Sequence, residues 1–192
     1  MITMVGVLAV GVFAFLNRAA SARPIPAAAV AAAKAANCSG VSTPTNDPIR
    51  THLNPGQPYT YTQKPATSGP HDPSPWAIDP RVNDGPIPET RAVHSLEHGV
   101  TIIYYRASGD GALPSNVVDA LKAIANTSRN TLLAPYPDLP AGQSLDFTAW
   151  NKLQTCPATI TADQARAVAY GFEYAFSCTG NAPEPKAAGN GC

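Results

Sequence analysis

The sequence predicts an α+β domain with a small mixed sheet and two packed helices, preceded by an N-terminal membrane segment. Short segments rich in β-branched and aromatic residues alternate with segments of helical periodicity, in the order strand, helix, strand, strand, helix. The 20 prolines and 14 glycines among the 192 residues exclude long helices from the first half of the chain, where they are dense. A thioredoxin-like domain ends in this order too, but the C-x-x-C pair is absent, so redox activity does not follow.

Four stretches predict the strands. Residues 99–106, GVTIIYYR, give the clearest signal, because β-branched and aromatic residues fill them. Residues 58–62, PYTYT, alternate as a short strand. Residues 131–137, TLLAPYP, and residues 145–150, LDFTAW, are the two further candidates.

Two stretches predict the helices. The first, LPSNVVDALKAIANTS, places Asn116 as the N-cap and Asp119 three residues later, and the second begins with a capping box of Thr161 and Gln164. The residues that we expect on their buried sides are Val117, Val118, Leu121 and Ile124 in the first, and Ala165, Val168, Ala169, Phe172 and Phe176 in the second.

An uncharged apolar run from Ile2 to Leu16 predicts the membrane segment, residues 1–16. It is slightly shorter than the roughly 20 residues that span a bilayer, so a signal segment with the A-x-A pattern of residues 20–22 fits as well. We favour an anchor, because no basic residue precedes the run. We then expect an Ala/Pro-rich tether over residues 17–37, a globular domain over residues 38–178 and a C-terminal tail over residues 179–192.

The four cysteines, Cys38, Cys156, Cys178 and Cys192, show no C-x-x-C spacing and predict two disulfides in an oxidising compartment. Cys178 and Cys192 are close in sequence and would pin the tail, which leaves Cys38 for Cys156; the other two connectivities stay open. We therefore expect a single-pass protein of the cell membrane with its domain on the extracytoplasmic side. Two arginines after the apolar run favour the opposite orientation by the positive-inside rule.

The charge balance excludes one class of partner. Only 14% of the residues are charged and the formal net charge is zero, so no basic surface is available to follow a phosphate backbone. We expect no nucleic-acid partner. The expected partners are the membrane, through the N-terminal helix, and a membrane complex or a metal-handling protein.

All four histidines fall within residues 52–98, and His94 and His98 stand four residues apart. In an extended chain their Cα atoms would be about 13 Å apart, whereas one helical turn brings them to about 6 Å on a common face. Shared metal coordination therefore requires a helical turn, and Gly99 suits its C-terminal end. His71 stands in the turn sequence SGPHDP, whose prolines limit the entropy lost on binding.

We expect His71, His94 and His98, with His52 as a fourth ligand, to converge on one divalent transition-metal ion. Nitrogen ligands select Cu(II) or Zn(II), and a thioether-rich Cu(I) site is excluded because no methionine follows residue 4.

Two carboxylates are expected to support these ligands without binding the ion. Glu97 stands about 100° around a helix from His98, so we assign it to the surroundings of the ligands. Asp72 directly follows His71 and could orient a ligand histidine.

The chain also resembles a known family. The stretch PATSGPH, followed by VHSLEHG, the strand VTIIYY, and then LLAPYPDLP and FTAW, resembles the bacterial domain of unknown function 3105 family, from about Cys38 to Cys156. The resemblance implies an N-terminal membrane segment, an extracytoplasmic domain and proximity to proteins connected with copper, but no established activity. It also implies a polar signature at His52, His71, His94, Glu97 and His98.

Three functions fit these observations. We favour a non-enzymatic, membrane-tethered metal-binding protein in copper handling. The first alternative is a non-enzymatic accessory subunit of a membrane (respiratory) complex, with the histidines packing a polar core. The second is a metallopeptidase-like hydrolase, because residues 94–98 match H-x-x-E-H and Glu173 could supply the distal carboxylate. That pattern belongs in a long helix, however, and here Gly99 and a strand follow at once.

Overall fold

A four-stranded mixed sheet separates two hydrophobic cores. The computed structural model describes residues 21–44, 49–187 and 192. Within these ranges the helices are α1 (Ala27–Ala35), α2 (Glu89–Glu97), α3 (Ser115–Thr127) and α4 (Ala162–Phe176). The strands are β1 (Thr101–Tyr105), β2 (Thr131–Pro135), β3 (Leu145–Ala149) and β4 (Lys152–Cys156).

The predicted membrane segment, residues 1–16, lies outside the described residues. None of the described helices is long and apolar enough to cross a bilayer. Membrane anchoring therefore stays a prediction.

The strands lie in the order β2-β1-β3-β4. Strands β1 and β2 are parallel and connected through α3, so Ile103 lies beside Leu133. Strand β3 is antiparallel to β1, with Phe147 opposite Ile103, and pairs with β4 on its other side. Because successive strand residues point to opposite faces, Ile102 and Ile103 belong to different cores.

The first core lies under α1, α3 and α4 and includes Ile103, Val117, Leu121, Phe147 and Phe172. The second lies under α2 and the long segment before it, and includes Tyr61, Leu96, Ile102, Tyr104 and Trp150. Both faces of the sheet are therefore covered. The second face carries all the histidine-bearing segments.

Helix α1 lies in the stretch that we assigned to a tether, but it packs against α4 as part of the fold. Ala29 and Ala33 are buried there. The contact is very close: a Cβ atom added to Gly171 of α4 would stand 2.3 Å from the Cβ of Ala29. Glycine on one helix and alanine on the other thus permit the two backbones to approach.

The helix starts are partly as predicted. Helix α4 has the expected capping box, in which the Thr161 side chain accepts from the Gln164 N–H and the Gln164 side chain accepts from the Thr161 N–H. Helix α3 instead begins at Ser115 with Pro114 as its N-cap, so the assignment of Asn116 is wrong. Proline before the first turn presets the backbone without a side-chain cap.

Two strand predictions need correction. Residues 58–62 form no strand; Tyr59 and Tyr61 pack edge to face, and the Tyr61 hydroxyl donates to the Pro70 carbonyl at 2.5 Å. Their alternation thus reflects packing of the tyrosines into the second core. Strand β4 was missed because KLQTC has little apolar character; its hairpin turn includes Asn151 at φ 54°.

The two disulfides join Cys38 to Cys156 and Cys178 to Cys192. The first ties the segment after α1 to the end of β4. The second ties Cys178, two residues after the end of α4, to Cys192. This is the pairing that the sequence favoured.

Candidate metal centre

His71 belongs to a buried stretch, residues 65–72, and is itself 0% exposed. Its backbone pairs with the segment that carries His52: the Leu53 N–H donates to the His71 carbonyl at 2.7 Å, and the His71 N–H donates to the Thr51 carbonyl at 3.1 Å. This isolated parallel bridge places the rings of His52 and His71 edge to face, with centroids 5.1 Å apart.

Helix α2 supplies the remaining histidines. The expected helical turn is its last one: the His98 N–H donates to the His94 carbonyl at 3.2 Å, and His98 is the C-cap. Gly99 follows with φ 88°, a left-handed conformation that glycine adopts readily, and it leads directly into β1. His94 and His98 therefore share one face of the helix.

Four side chains form the centre: His52, His71, His94 and Glu97 each offer a ligand atom, and these atoms all lie within 4.8 Å of one another. His52 is exposed, whereas the other three are buried. The His52 ring stacks on the His94 ring at a centroid distance of 5.1 Å. The centre thus has one side facing solvent and three ligands anchored in the protein.

The orientation of His71 is set by its own loop. Its Nδ1 lies 2.8 Å from the Gly69 carbonyl, so the neutral ring carries its proton on Nδ1 and presents a lone pair on Nε2. That Nε2 is buried and has no hydrogen-bond partner among the described residues, although the Glu97 Oε2 stands only 3.0 Å away. A buried lone pair therefore faces a carboxylate oxygen.

His94 is held in the same way. Its Nδ1 lies 2.6 Å from the Asp72 backbone carbonyl, which again leaves Nε2 as the lone-pair nitrogen. This Nε2 faces the Nε2 of His98 at 3.0 Å. A backbone carbonyl that accepts from one ring nitrogen is the usual support of a metal-binding histidine.

Asp72 supports the centre, but not through its carboxylate as we expected. The Asp72 side chain accepts the N–H groups of Gly56 and Ser74, both at 2.8 Å. These bonds lower the pKa of Asp72 and stabilise its turn. The carboxylate is thus committed to its own loop, and only the backbone carbonyl orients His94.

Glu97 lies at the centre, which differs from the sequence prediction. The prediction considered only the position of Glu97 relative to His98, from which it stands about 100° around the helix axis. It stands three residues after His94, however, and residues at this spacing are neighbours on a helix. Its side chain is 5% exposed, and Arg50 is an ion-pair partner at 3.6 Å on the solvent side. Burial, and then the nearby Glu184, raise the pKa of Glu97.

His98 belongs to a second group, with Glu97 and Glu184, whose ligand atoms also lie within 4.8 Å of one another. The His98 Nε2 is 3.8 Å from the Glu184 Oε2, and the Glu184 N–H donates to the Glu97 carbonyl at 3.0 Å. Sequence reasoning missed Glu184, because it lies in the tail with no spacing that relates it to the histidines. The tail disulfide was the only signal that this segment returns to the domain.

Burial lowers the pKa of His71, of His94 and of His98. The cause is desolvation, which disfavours the charged imidazolium. At neutral pH these rings are therefore neutral, which is the form that binds a metal ion.

The dimensions suit a metal ion. Two ligands of a tetrahedral ion, each about 2.0–2.1 Å from it, stand about 3.3 Å apart. The four ligand atoms all lie within 4.8 Å of one another, and His71 Nε2 and Glu97 Oε2, at 3.0 Å, already stand near that separation. Imidazole nitrogen and carboxylate oxygen suit Zn(II) and Cu(II).

The distal carboxylate of the peptidase hypothesis does not reach the centre. Glu173 lies on α4, hydrogen-bonds to the Ser128 hydroxyl, and belongs to neither ligand group. Helix α2 also ends at Glu97, so His98 stands at a helix terminus. The H-x-x-E-H match therefore lacks its expected structural context.

The fold and the centre define an α+β domain with a largely buried His/Glu cluster that could hold a metal ion. The family model described as "Protein of unknown function (DUF3105)" matches residues 52–191, so the chain belongs to this family. The match begins at His52, later than the start near Cys38 that the resemblance suggested, and it extends past Cys156 to include Glu184. No curated protein and no solved structure matches the chain.

Proposed function

We propose that this protein binds a divalent transition-metal ion, Cu(II) or Zn(II), through His52, His71, His94 and Glu97, and that it serves in copper handling. The observation that carries the metal proposal is the pair of buried atoms His71 Nε2 and Glu97 Oε2, which face each other at 3.0 Å without a hydrogen bond.

The chemistry of that pair favours a cation between the two side chains. With its proton on Nδ1, neutral His71 directs a lone pair at Glu97, and two electron-rich atoms at this distance repel each other unless a proton or a metal ion lies between them. Burial disfavours a proton on His71, whereas it raises the pKa of Glu97, so in the metal-free protein the proton between the two atoms belongs to Glu97 and a metal ion would replace it. A metal ion would satisfy His71 and Glu97 together, and His94 points its own lone-pair nitrogen into the same cluster.

The proposal includes a location: the domain is held on the extracytoplasmic side of the cell membrane. The two disulfides support it, because they persist in oxidising compartments. The apolar run Ile2–Leu16 supports the anchor. Protease protection of intact cells and spheroplasts, together with non-reducing peptide mapping, tests it; a protected domain with free thiols would contradict it.

The test of metal binding uses the full-length protein, stripped by a chelator and titrated with Zn²⁺ and with Cu²⁺ in competition with a chromogenic chelator. We expect His71→Ala and His94→Ala to lower the affinity by more than about 100-fold, since even the partners that orient a ligand contribute about 10–100-fold. Tyr170→Ala is the control, because this aromatic side chain is 59% exposed on α4.

Circular dichroism of each variant separates lost binding from lost folding. Equal affinities for the wild type and both folded histidine variants would show that the cluster is not a metal site. The accessory-subunit function would then be favoured, with the histidines as polar core residues and co-purification with a membrane complex as its signature. The unsatisfied nitrogen of His71 favours the metal-binding function over this alternative.

We infer in addition that the fold is related to the thioredoxin-like arrangement. A parallel β1-α3-β2 unit, followed by the β3-β4 hairpin and α4, supports this relation. It carries no redox function, because the four cysteines form two disulfides and no C-x-x-C pair exists. A solved structure of the domain compared with thioredoxin-like proteins tests the relation.

A further inference from the structure

The cluster contains more ligands than one tetrahedral ion can use. Four imidazoles and two carboxylates are distributed over the two groups described above, whereas a zinc site takes four ligands. Glu97 belongs to both groups. A carboxylate has two oxygens, so one side chain can contact two ions.

The second group shares Glu97 with the first and borders it through His98, whose Nε2 is 3.0 Å from the Nε2 of His94. Glu97 directs Oε2 at His71, while His98 and Glu184 approach each other to 3.8 Å between Nε2 and Oε2. His98 is 8% exposed, and Glu184 has a side chain that is 57% exposed. The second group is therefore open to solvent on the side of the tail.

The backbone holds the tail against this group. The Glu184 N–H donates to the Glu97 carbonyl, and the Cys178 N–H donates to the Gly99 carbonyl, both at 3.0 Å. The disulfide between Cys178 and Cys192 closes the tail segment that contains Glu184. Glu184 is thus presented to His98 by a covalently closed loop.

The contact between His94 and His98 is the second indication. The Nδ1 of His94 donates to the Asp72 carbonyl, so its Nε2 carries a lone pair and accepts a hydrogen bond from the Nε2 of His98 at 3.0 Å. His94 is a member of the first ligand group, and His98 is a member of the second. Two ions would replace this hydrogen bond by binding one nitrogen each.

We propose that the centre is dinuclear, with Glu97 bridging a first ion bound by His52, His71 and His94 and a second ion bound by His98 and Glu184. This inference rests on the proposed metal-binding function. Metal ions in two-metal sites are about 3.5–4 Å apart. The second group, with two carboxylates and one imidazole, accepts Zn(II), Cu(II) or Mn(II), whereas the histidine-rich first group suits Cu(II) or Zn(II).

The test measures ions bound per chain. Stripped full-length protein is dialysed against Zn²⁺ and the bound metal is determined for the wild type, Glu184→Gln and the control Asp119→Asn, an exposed acidic residue of α3. We expect two ions in the wild type and in the control, and one ion in Glu184→Gln.

Electron paramagnetic resonance of protein loaded with two equivalents of Cu²⁺ and then freed of unbound Cu²⁺ by desalting gives an independent readout. Two adjacent ions couple magnetically, so the wild type should show less than two isolated spins per chain, and Glu184→Gln should show a single isolated spin. One ion in the wild type would overturn the dinuclear centre and leave the proposed function standing. No ion in the wild type would overturn both, and two ions retained by Glu184→Gln would remove Glu184 from the site.

Discussion

The Nε2 atom of His71 and the Oε2 atom of Glu97 stand 3.0 Å apart in the interior of the protein. No spacing rule in the sequence relates these two residues. His71 belongs to the loop before α2, and Glu97 is the last residue of that helix. The loop is held by the bridge to residues 51–53, and the helix is held by the second core. These two supports thus maintain a contact that needs a proton or a metal ion between its two atoms.

Replacement of Glu97 by glutamine tests whether this contact is a metal site or a structural ion pair. The amide can donate to the His71 Nε2, and the cost of a buried carboxylate disappears, so metal-free Glu97→Gln should be more stable by about 1 kcal/mol. Its Zn²⁺ affinity should fall by more than about 100-fold. A lower melting temperature would indicate that the pair stabilises the protein as an ion pair.

Glu89, on the first turn of the same helix, provides the matched control. Its Oε1 accepts the Ala66 N–H and the Tyr136 hydroxyl, both at 2.8 Å. Glu89→Gln weakens these structural bonds, so we expect lower stability with unchanged Zn²⁺ affinity. The two substitutions should therefore have opposite effects on stability.

The pH dependence of metal affinity follows from the buried histidines. Because burial lowers the pKa of His71, of His94 and of His98, protons compete with the metal only at a pH below the ordinary histidine value of about 6.5. Zn²⁺ affinity should stay nearly constant from about pH 8 to 6.5 and then fall by about tenfold or more per pH unit. Competition titrations across this range check it, and a loss that is half complete above pH 6.5 would contradict it.

Asp146 on β3 predicts a separate effect of pH on stability. It is fully buried, neither carboxylate oxygen has a hydrogen-bond partner among the described residues, and burial raises its pKa to about 8. The folded protein thus holds this proton more tightly than the unfolded chain. The contribution to stability is complete below the unfolded pKa, about 3.9, and is lost as the pH rises through about 8, at up to about 1.4 kcal/mol per pH unit.

Denaturant unfolding between pH 5 and 9 measures this effect. Asp146→Asn carries no ionisable group, so its stability should decline less over that range than that of the wild type. Asp138→Asn is the control, since its side chain is 70% exposed. Parallel declines in all three proteins would show that Asp146 titrates normally.

The approach of α1 to α4 depends on Gly171. Alanine at this position would gain about 0.5–1 kcal/mol of helix propensity, but its Cβ would stand 2.3 Å from that of Ala29. We expect overpacking to dominate and Gly171→Ala to lose about 1–3 kcal/mol in stability. Ala29→Gly in the same chain should restore part of the loss. A stable Gly171→Ala would show that α1 does not pack here.

The tail disulfide should affect only the second ion. The Cys178→Ser/Cys192→Ser variant opens a loop of 14 residues, should lose about 3 kcal/mol in stability, and frees the tail that presents Glu184. We expect one bound Zn²⁺ in place of two. The Cys38→Ser/Cys156→Ser variant is the matched control and should retain both ions. Retention of two ions without the tail disulfide would show that it does not support the second site.

Local signals were sufficient for much of the fold. The capping box at Thr161 and the β-branched strand that became β1 depend on residues adjacent in sequence, and both are present in the structure. The signal failed where packing competes with local preference: residues 58–62 alternate like a strand, but their tyrosines pack into the second core. The residues of β4 have little preference for a strand by themselves, and β4 forms through its pairing with β3.

By itself, the sequence determined that the histidines fall in one window, that two of them share a helical face, and that four cysteines would pair. The tertiary structure decided which carboxylates join them. Glu97 entered the centre because the His71 loop approaches α2 on the side that it shares with His94, and Glu184 entered because the tail folds back onto the end of that helix. Such contacts depend on how the loops bring distant segments together. The periodicity of the sequence indicates only the faces of helices and strands, so it does not predict these contacts.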